Sequence, residues 1–325
     1  MRPFTFTKPA NITQALAKKT PAVQFIAGGT NLLDLMKKHV AAPEALVDIT
    51  GIVASNIETY NKGIRIGAMV RNSTIATQPE ILAGFPLIVK AVLAGASPQI
   101  RNMASTGGNI LQRTRCPYFF DTTLPCNKRK PGSGCGALKG DNRMSAIVGY
   151  SEQCVAVHPS DLCVALAALD ATVIVKDKNQ KLSTIFFKDF HRLPGQTPEL
   201  DNNLPAGAVI VAIEIPTNAF NKNVAYVKVR DRDSYAFALI SVAAGLHLDN
   251  NKIMEARLAS GGVAHKPWRW CKAEEFLKGK EATAENFRQA AALALAETKP
   301  LTHNGFKTTM LKGAIETALQ NCITN

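Results

Sequence analysis

The sequence has no long apolar run, no segment typical of a secretory signal and few cysteines. Its longest apolar run extends from Phe237 to Leu246, about half of the ~20 residues that a membrane-spanning helix needs. The opening "MRPFTFTKPANITQALAKK" lacks the apolar centre of a signal peptide. Seven cysteines, an odd number in a chain of 325 residues, do not indicate a disulfide framework. We therefore expect a globular protein without a membrane span.

The sequence also has few acidic residues. It contains 25 aspartates and glutamates against 38 lysines and arginines, which gives a formal charge of +13. Such a charge, taken alone, favours nucleic acid or another anionic partner. The basic residues are scattered, however, and the only tight cluster is "NKRK" at 127–130, which no aromatic residues interleave. We therefore predict no nucleic-acid binding, and interpret the charge as solvated surface with some attraction for phosphate-bearing ligands.

The composition, 46% hydrophobic and 19% charged, is sufficient for a large core and predicts two domains. The hydrophobic periodicity predicts α+β structure, in a larger N-terminal and a smaller C-terminal part. The elements predicted for the first part are a strand at 22–26, a helix that begins near residue 32, a strand at 45–50, a hairpin around Asn61-Lys62-Gly63 and helical structure over 79–95. After a polar linker at 217–223, the second part has predicted strands at 224–230, 236–248 and 253–264 and predicted helices at 283–297 and 305–320.

Two glycine pairs occur in the N-terminal part, "AGGT" at 27–30 and "ASTGGNI" at 104–110. The first lies between a strand and a helix, where the backbone can approach a ligand closely and the helix N-terminus favours an anion. Neither pair matches the G-x-G-x-x-G dinucleotide pattern, and either alone is more often only a tight turn. Together they favour a phosphate-bearing cofactor.

Five segments in the same order resemble the FAD-binding subunit of the molybdenum hydroxylases, the family of xanthine dehydrogenase and aldehyde oxidoreductase. They are "FIAGGTNLLDLM", "QIRNMASTGGNIL", "HPSDL", "YVKVRDRDSYAFALISVA" and "GGVAHKPWR". The resemblance covers essentially the whole chain. It implies a two-part FAD-binding domain of the vanillyl-alcohol-oxidase (PCMH) type at 1–216 and a smaller α+β C-terminal domain, of the CO dehydrogenase flavoprotein type, at 224–325.

The resemblance also implies which residues bind FAD. The first loop would surround the diphosphate and adenosine, the second would contact the diphosphate and ribityl chain, and an aspartate and a lysine would lie near the ribityl chain or the isoalloxazine ring. The residues are Ile26, Ala27, Gly28, Gly29, Thr30, Asn31, Leu32, Leu33, Asp34, Ser105, Thr106, Gly108, Asn109, Asp161 and Lys228. Without the resemblance, Asp161 reads as a helix N-cap and Lys228 as a surface lysine.

In most members of the family, the "SD" motif directly follows the second glycine loop. In this chain about forty additional residues, at 113–154, lie between them. This insertion contains Cys116, Cys126, Cys135 and Cys154 in the pattern C-x9-C-x8-C-x18-C. The spacing is too wide for the paired C-x2-C units of a zinc ribbon, and four thiolates from an irregular loop suit a 4Fe–4S cluster. The insertion resembles that of bacterial periplasmic aldehyde oxidoreductases, which carries such a cluster.

Structural zinc, or unrelated free thiols, remain the alternatives for these cysteines, because four sulfur ligands suit zinc as well as iron–sulfur centres. Cys163 is the one rival as fourth ligand. Cys163, Cys271 and Cys322 are otherwise predicted to be small buried hydrophobic residues.

No hydrolytic triad or convincing acid–base pair is present, so we predict no catalytic residue. The resemblance implies an electron-transfer subunit of a heterotrimer, with a large molybdenum-cofactor subunit, a small subunit that holds two 2Fe–2S clusters, and an external electron acceptor. It also implies a periplasmic location, reached by co-export with a signal-bearing partner, with the cytoplasm as the alternative. The other functions considered are a stand-alone FAD-dependent reductase, the flavin subunit of a cytoplasmic xanthine or hydroxybenzoyl-CoA type of enzyme, and a zinc-stabilised binding module.

Overall fold

The computed structural model describes residues 1–60 and 62–324, and within them the strands form three β-sheets. The first sheet is parallel, with strand order β1-β3-β2. Its strands are β1 (Thr5–Thr7), β2 (Val23–Ile26) and β3 (Ala45–Asp48), connected by α1 (Ile12–Ala17) and α2 (Leu32–Lys37). The predicted strands at 22–26 and 45–50 are confirmed, with ends one or two residues away. The first glycine loop connects β2 to α2.

The second sheet is antiparallel, with strand order β4-β5-β8-β6-β7. Its strands are β4 (Ile57–Tyr60), β5 (Gly63–Gly67), β6 (Thr172–Lys176), β7 (Leu182–Phe186) and β8 (Val209–Pro216). β4 and β5 pair as the predicted hairpin, and Asn61 of its predicted turn lies outside the described residues.

Short helices fill the chain between β5 and the insertion. They are α3 (Asn72–Thr77), α4 (Pro79–Gly84), α5 (Pro86–Ala94), α6 (Pro98–Met103) and α7 (Thr106–Ile110). The helical structure predicted over 79–95 is confirmed as two helices, α4 and α5, which are divided at Phe85, where φ is −139° and ψ is 49°. Phe85 precedes Pro86, and a residue before proline is disfavoured from the helical region.

The insertion at 113–154 is largely irregular, as predicted, and contains two single-turn helices, α8 (Pro117–Phe120) and α9 (Gly136–Lys139). It is nevertheless well packed, since the side chains of Phe119 and Lys128 are buried. Its last part reaches the C-terminal region, where Ile147 accepts a backbone hydrogen bond from Lys299 and donates one to Val263. The insertion is thus packed against the rest of the chain through buried side chains and backbone hydrogen bonds.

The third sheet is antiparallel, with strand order β12-β11-β10-β9. Its strands are β9 (Val224–Val229), β10 (Ile240–Asp249), β11 (Lys252–Gly261) and β12 (Trp268–Arg269), and the last three helices are α12 (Cys271–Leu277), α13 (Ala284–Leu295) and α14 (Phe306–Thr324). α13 and α14 confirm the two predicted helices. β10 begins at Ile240 instead of residue 236, and the segment before it borders a cavity described below.

Two further helices, α10 (Asp161–Ala168) and α11 (Phe187–Phe190), lie between the sheets. All eight residues of α10 are buried, as its uninterrupted apolar sequence requires. The core forms one cluster around the second sheet and another between the third sheet and α12 to α14. The division into domains at 1–216 and 224–325 stays a prediction. None of the described helices is both long and apolar enough to cross a bilayer.

Candidate functional site

The first glycine loop is fixed by close backbone packing. A Cβ on Gly28 would lie 1.9 Å from the carbonyl oxygen of Met103, and Gly29 has a φ of +72°, which side chains rarely adopt. Both positions therefore require glycine for the fold itself. The loop in this way contacts the chain immediately before the second glycine loop.

The second glycine loop is held by hydrogen bonds to the segment after β5. The backbone of Gly107 donates to Ala68, and both the backbone and the hydroxyl of Thr106 donate to Val70, each at 2.8 Å. Ser105 caps α7 by accepting from the backbone of Gly108 at 3.2 Å. The side chain of Thr106 is thus buried and turned away from the cavities into which the neighbouring residues face.

The two glycine loops border a pair of adjoining cavities of about 580 and 340 Å³. Both fall in or near the range of roughly 300–1,000 Å³ that is usual for ligand sites. The smaller is lined by these predicted residues: Ile26, Ala27, Gly28, Gly29, Thr30, Asn31, Leu32, Ser105 and Gly108. The larger is lined by Gly28, Gly29, Thr30, Asn31, Leu33, Asp34, Asn109, Asp161 and Lys228. All the predicted FAD-binding residues except Thr106 therefore meet at one place.

Asp161 and Lys228 form a buried ion pair at one end of the larger cavity. The Lys228 Nζ lies 2.8 Å from Asp161 Oδ2 and donates to the carbonyl of Ala94 at 3.0 Å. The Tyr226 hydroxyl donates to Asp161 Oδ1 at 2.8 Å, and burial raises the pKa of Tyr226 well above its usual value. The helix cap is Ser160, and Asp161 is the first residue of α10. Neither Asp161 nor Lys228 is the exposed or capping residue that the sequence alone suggested.

Four cysteines of the insertion line one small enclosed cavity of about 10 Å³. They are Cys116, Cys126, Cys135 and Cys154. Burial raises the pKa of Cys116 to about 11 and that of Cys154 to about 12, so both are thiols unless a metal is present. A metal would reverse this, because a coordinating thiol loses its proton.

The spacing of these sulfurs bears on the choice of metal. Among the described residues, no three of the four sulfurs lie within 4.8 Å of one another. A single zinc with Zn–S bonds of about 2.3 Å would hold its sulfurs roughly 3.8 Å apart. The arrangement is therefore wider than a mononuclear zinc site.

Cys163, the rival fourth ligand, does not line this cavity. Cys163 lies in α10. Its sulfur lies close to His158 and His191, which are outside that helix, and the sulfur and one nitrogen of each imidazole are within 4.8 Å of one another. His191 Nε2 contacts the carbonyl of Ile110 at 2.8 Å, and burial lowers the pKa of His191 to about 4. Burial also lowers the pKa of His158 well below its usual value. The imidazoles are therefore neutral and pack at the end of α7.

Of the two other cysteines, Cys322 is buried in the C-terminal core, as predicted. The prediction of a buried Cys271 is wrong. It is exposed at the start of α12, because the apolar face of that helix is formed by Ala273 and Leu277.

Sequence reasoning missed the polar residues that anchor the insertion. The ammonium of Lys128, with its side chain 1% exposed, lies 2.6 Å from Asp201 and 2.7 Å from His265 Nε2. Burial alone would raise the pKa of Asp201, but Lys128 and Arg113 lower it below its usual value. The partners are 73 and 137 positions from Lys128 in the chain, so no local spacing indicates them.

A second missed residue is Arg115, which lines the larger cavity. Its Nη1 donates to Asp34 Oδ2 at 3.0 Å, and its Nη2 donates to Asn31 Oδ1. An arginine of the insertion therefore contacts the first glycine loop. The only available sequence signal is its position next to Cys116.

Comparison with known proteins agrees with this architecture. The family model of the FAD-binding domain in molybdopterin dehydrogenase matches residues 2–218, and that of the CO dehydrogenase flavoprotein C-terminal domain matches residues 225–322. The chain therefore belongs to the FAD-binding subunits of the molybdenum hydroxylase family, and it is an oxidoreductase subunit.

The similarity to particular relatives extends over the full length. The chain is 44% identical, over 98% of both sequences, to the aldehyde oxidoreductase FAD-binding subunit PaoB of Escherichia coli K12. It is 26% identical to the glyceraldehyde dehydrogenase medium chain of Sulfolobus acidocaldarius, over 91% of this chain and 89% of that one.

Solved structures show the same fold. Quinoline 2-oxidoreductase from Pseudomonas putida 86 matches with a TM-score of 0.74 and 22% identity, over 99% of this chain and 97% of that one. Carbon monoxide dehydrogenase from Hydrogenophaga pseudoflava matches with a TM-score of 0.76 and 23% identity, with the same coverage. The predicted two-part α+β architecture is thereby confirmed.

Proposed function

We propose that this chain binds FAD in the two adjoining cavities and serves as the electron-transfer subunit of a molybdenum-containing aldehyde oxidoreductase. The observation that carries the proposal is the convergence of both glycine loops, Asp161 and Lys228 on one continuous space. The substrate class is inferred from the relative that is 44% identical over 98% of the chain.

The residues present fit FAD. The glycine loops bring backbone N–H groups and the small side chains of Thr30 and Ser105 to the cavity wall, where a diphosphate can approach without obstruction. Lys228 carries a buried ammonium held in place by Asp161, and such a charge stabilises negative charge on a flavin ring. Tyr226, which donates to the same carboxylate, fixes the orientation of the pair.

When bound, FAD supplies the conversion between one-electron and two-electron transfer. In the proposed heterotrimer, a large subunit with the molybdenum cofactor oxidises the aldehyde, and a small subunit with two 2Fe–2S clusters relays electrons to the flavin. An external acceptor takes the electrons from there.

We also propose that Cys116, Cys126, Cys135 and Cys154 hold a 4Fe–4S cluster. Their position around one small cavity, with Cys126 and Cys154 buried and the other two partly buried, supports a metal site, and sulfurs too far apart for a single zinc favour a cluster. The four thiols otherwise lack a role, because they form no disulfide. The location we propose is the periplasm, reached as a folded complex with a signal-bearing partner.

The experiment is a determination of cofactor content on anaerobically purified chain. We expect flavin absorption bands with a broad iron–sulfur shoulder, and iron and acid-labile sulfide near four each per flavin, as a Cys-ligated cubane requires. Stoichiometric zinc without sulfide would exclude the cluster, and a colourless protein that takes up no FAD would exclude the function.

A second measurement tests the partners and the location. The chain isolated from fractionated cells of its host should co-purify with a molybdenum-containing subunit and an iron–sulfur subunit, and the complex should oxidise aromatic or aliphatic aldehydes. Recovery of the complex from the cytoplasmic fraction alone would contradict export while leaving the electron-transfer role intact.

A further inference from the structure

Arg115 is the residue at which three parts of the molecule meet. Its guanidinium binds Asn31 and Asp34 of the first glycine loop and lies 5.1 Å from the ring centroid of Phe237, in the segment before β10. The next residue in the chain is Cys116, which lines the cysteine cavity.

These contacts lie at the boundary of the larger cavity. Arg115, Asn31, Asp34 and Phe237 all line it, and Arg115 also lines a third cavity of about 150 Å³. That third cavity is bordered by both Cys116 and Asp161, so it shares lining residues with the cysteine cavity and with the larger one. The guanidinium side chain is 22% exposed, and the carboxylate of Asp34 is 43% exposed. The guanidinium is thus mostly shielded from solvent, whereas the carboxylate is exposed, so the contact acts through its geometry more than through charge attraction.

The hydrogen bonds from Arg115 restrict a loop that FAD would otherwise have to order. Asn31 is the N-cap residue of α2 and Asp34 lies in its first turn, and Arg115 has the planar, forked donor group that can hold two acceptors at once. Fixing a loop before the ligand arrives increases affinity because the entropy cost of ordering is already met. Any shift of the backbone at Cys116 would move Arg115 with it.

We propose that Arg115 is a positioning residue for FAD, which holds the first glycine loop in its binding conformation and couples FAD affinity to the occupancy of the four-cysteine site. This inference rests on the proposed function. It assigns to the insertion a role in the flavin site in addition to metal binding.

The first test compares Arg115→Gln with Arg143→Gln. Arg143 is a matched control, since it belongs to the same insertion and pairs with Asp231 at 2.7 Å on the surface, and it lines neither of the two large cavities. After the flavin is removed, FAD is titrated back and its fluorescence quenching gives the Kd. We expect a roughly tenfold higher Kd for Arg115→Gln, which corresponds to about 1.4 kcal/mol, with iron content retained. Arg143→Gln should bind FAD as the wild type does.

Arg115→Lys separates positioning from general stability. Lysine keeps the positive charge but lacks the forked guanidinium that can bind two acceptors at once. The variant should therefore recover only part of the FAD affinity that Arg115→Gln loses. The melting temperature without FAD should be the same in the Lys and Gln variants. An unchanged Kd in Arg115→Gln overturns the proposal, and so does a loss of affinity that follows the melting temperature across the variants.

The coupling is tested by a double-mutant cycle with Cys126→Ser. Loss of the metal site should raise the Kd for FAD roughly threefold in the wild-type background and leave it unchanged when Arg115 is already Gln. If the Kd of the double variant rises by the product of the two single-variant factors, the two sites act independently and the coupling is overturned. A wild-type chain that binds no FAD would instead contradict the proposed function, so the two failures are distinguishable.

Discussion

The glycine-loop cavities and the cysteine cavity differ in their volume and in the groups that form their walls. The first is a large space whose walls are fixed by backbone contacts, such as the hydrogen bonds of Thr106 and Gly107 to the segment after β5. The second is a space of about 10 Å³ surrounded by thiols, two of which have a raised pKa because they are buried. The first can therefore hold a large organic ligand against backbone groups, whereas the second brings together four sulfurs that, at Cys116 and Cys154, stay protonated and unreactive without a metal.

The largest expected effect tests the cysteine cavity through Cys126→Ser. A serine oxygen is a poor substitute for a thiolate, so iron and acid-labile sulfide should fall to near zero in the purified variant. Cys271→Ser, in which an exposed cysteine of α12 is replaced, is the control and should keep its full iron content. Iron that depends on Cys271 and not on Cys126 would refute the proposed ligands.

The next effect concerns the packing of the insertion through Lys128→Met. Removal of the ammonium leaves Asp201 with Arg113 as its remaining cation, and loss of one partner of a buried ion pair costs about 3–5 kcal/mol. Urea denaturation should show this loss. A matched change of the exposed pair, Arg143→Gln, should cost below about 1 kcal/mol. Equal losses would mean that the insertion is not anchored through Lys128.

The glycine loops are tested by comparing Gly28→Ala with Gly108→Ala. The added Cβ would meet a backbone carbonyl oxygen at 1.9 Å in the first variant, but only the Ser105 hydroxyl oxygen at 2.9 Å in the second. Gly28→Ala should therefore destabilise the fold by about 3 kcal/mol or more. Gly108→Ala should remain folded and lower FAD affinity. If Gly108→Ala retained full affinity, the second loop would be only a turn.

The smallest effect is a pH dependence from Lys307, whose ammonium contacts the carbonyls of Ser145 and Gly262 at 2.9 and 2.7 Å. Burial lowers its pKa to about 7. The unfolded chain, with the ordinary lysine pKa near 10.4, then binds more protons than the folded one between those values, so stability should rise with pH across this window. The slope should reach at most about 1.4 kcal/mol per pH unit and should vanish in Lys307→Met, as denaturation at several pH values would show.

The sequence predicted the features that depend on local patterns. The turn after β2 follows from two glycines between a strand and a helix, and the helices α13 and α14 follow from the hydrophobic periodicity of their segments. The features it did not predict are long-range. Arg115 contacts a residue 81 positions away, and Lys128 a residue 137 positions away, and neither spacing has a periodicity to indicate it. The break between α4 and α5 at Phe85 is different, because the proline that follows Phe85 in the sequence accounts for it.

The long-range hydrogen bonds of Ile147 determine when the insertion can complete its folding during synthesis. Its hydrogen-bond partners, Val263 and Lys299, are synthesised more than a hundred residues later. Contacts of such sequence separation form late, because a long loop must close before they contribute. The end of the insertion therefore lacks these partners until residues 148–299 have been synthesised, and the insertion that carries the four cysteines is incompletely packed during that interval. We expect maturation of the metal site to follow completion of the polypeptide rather than accompany it.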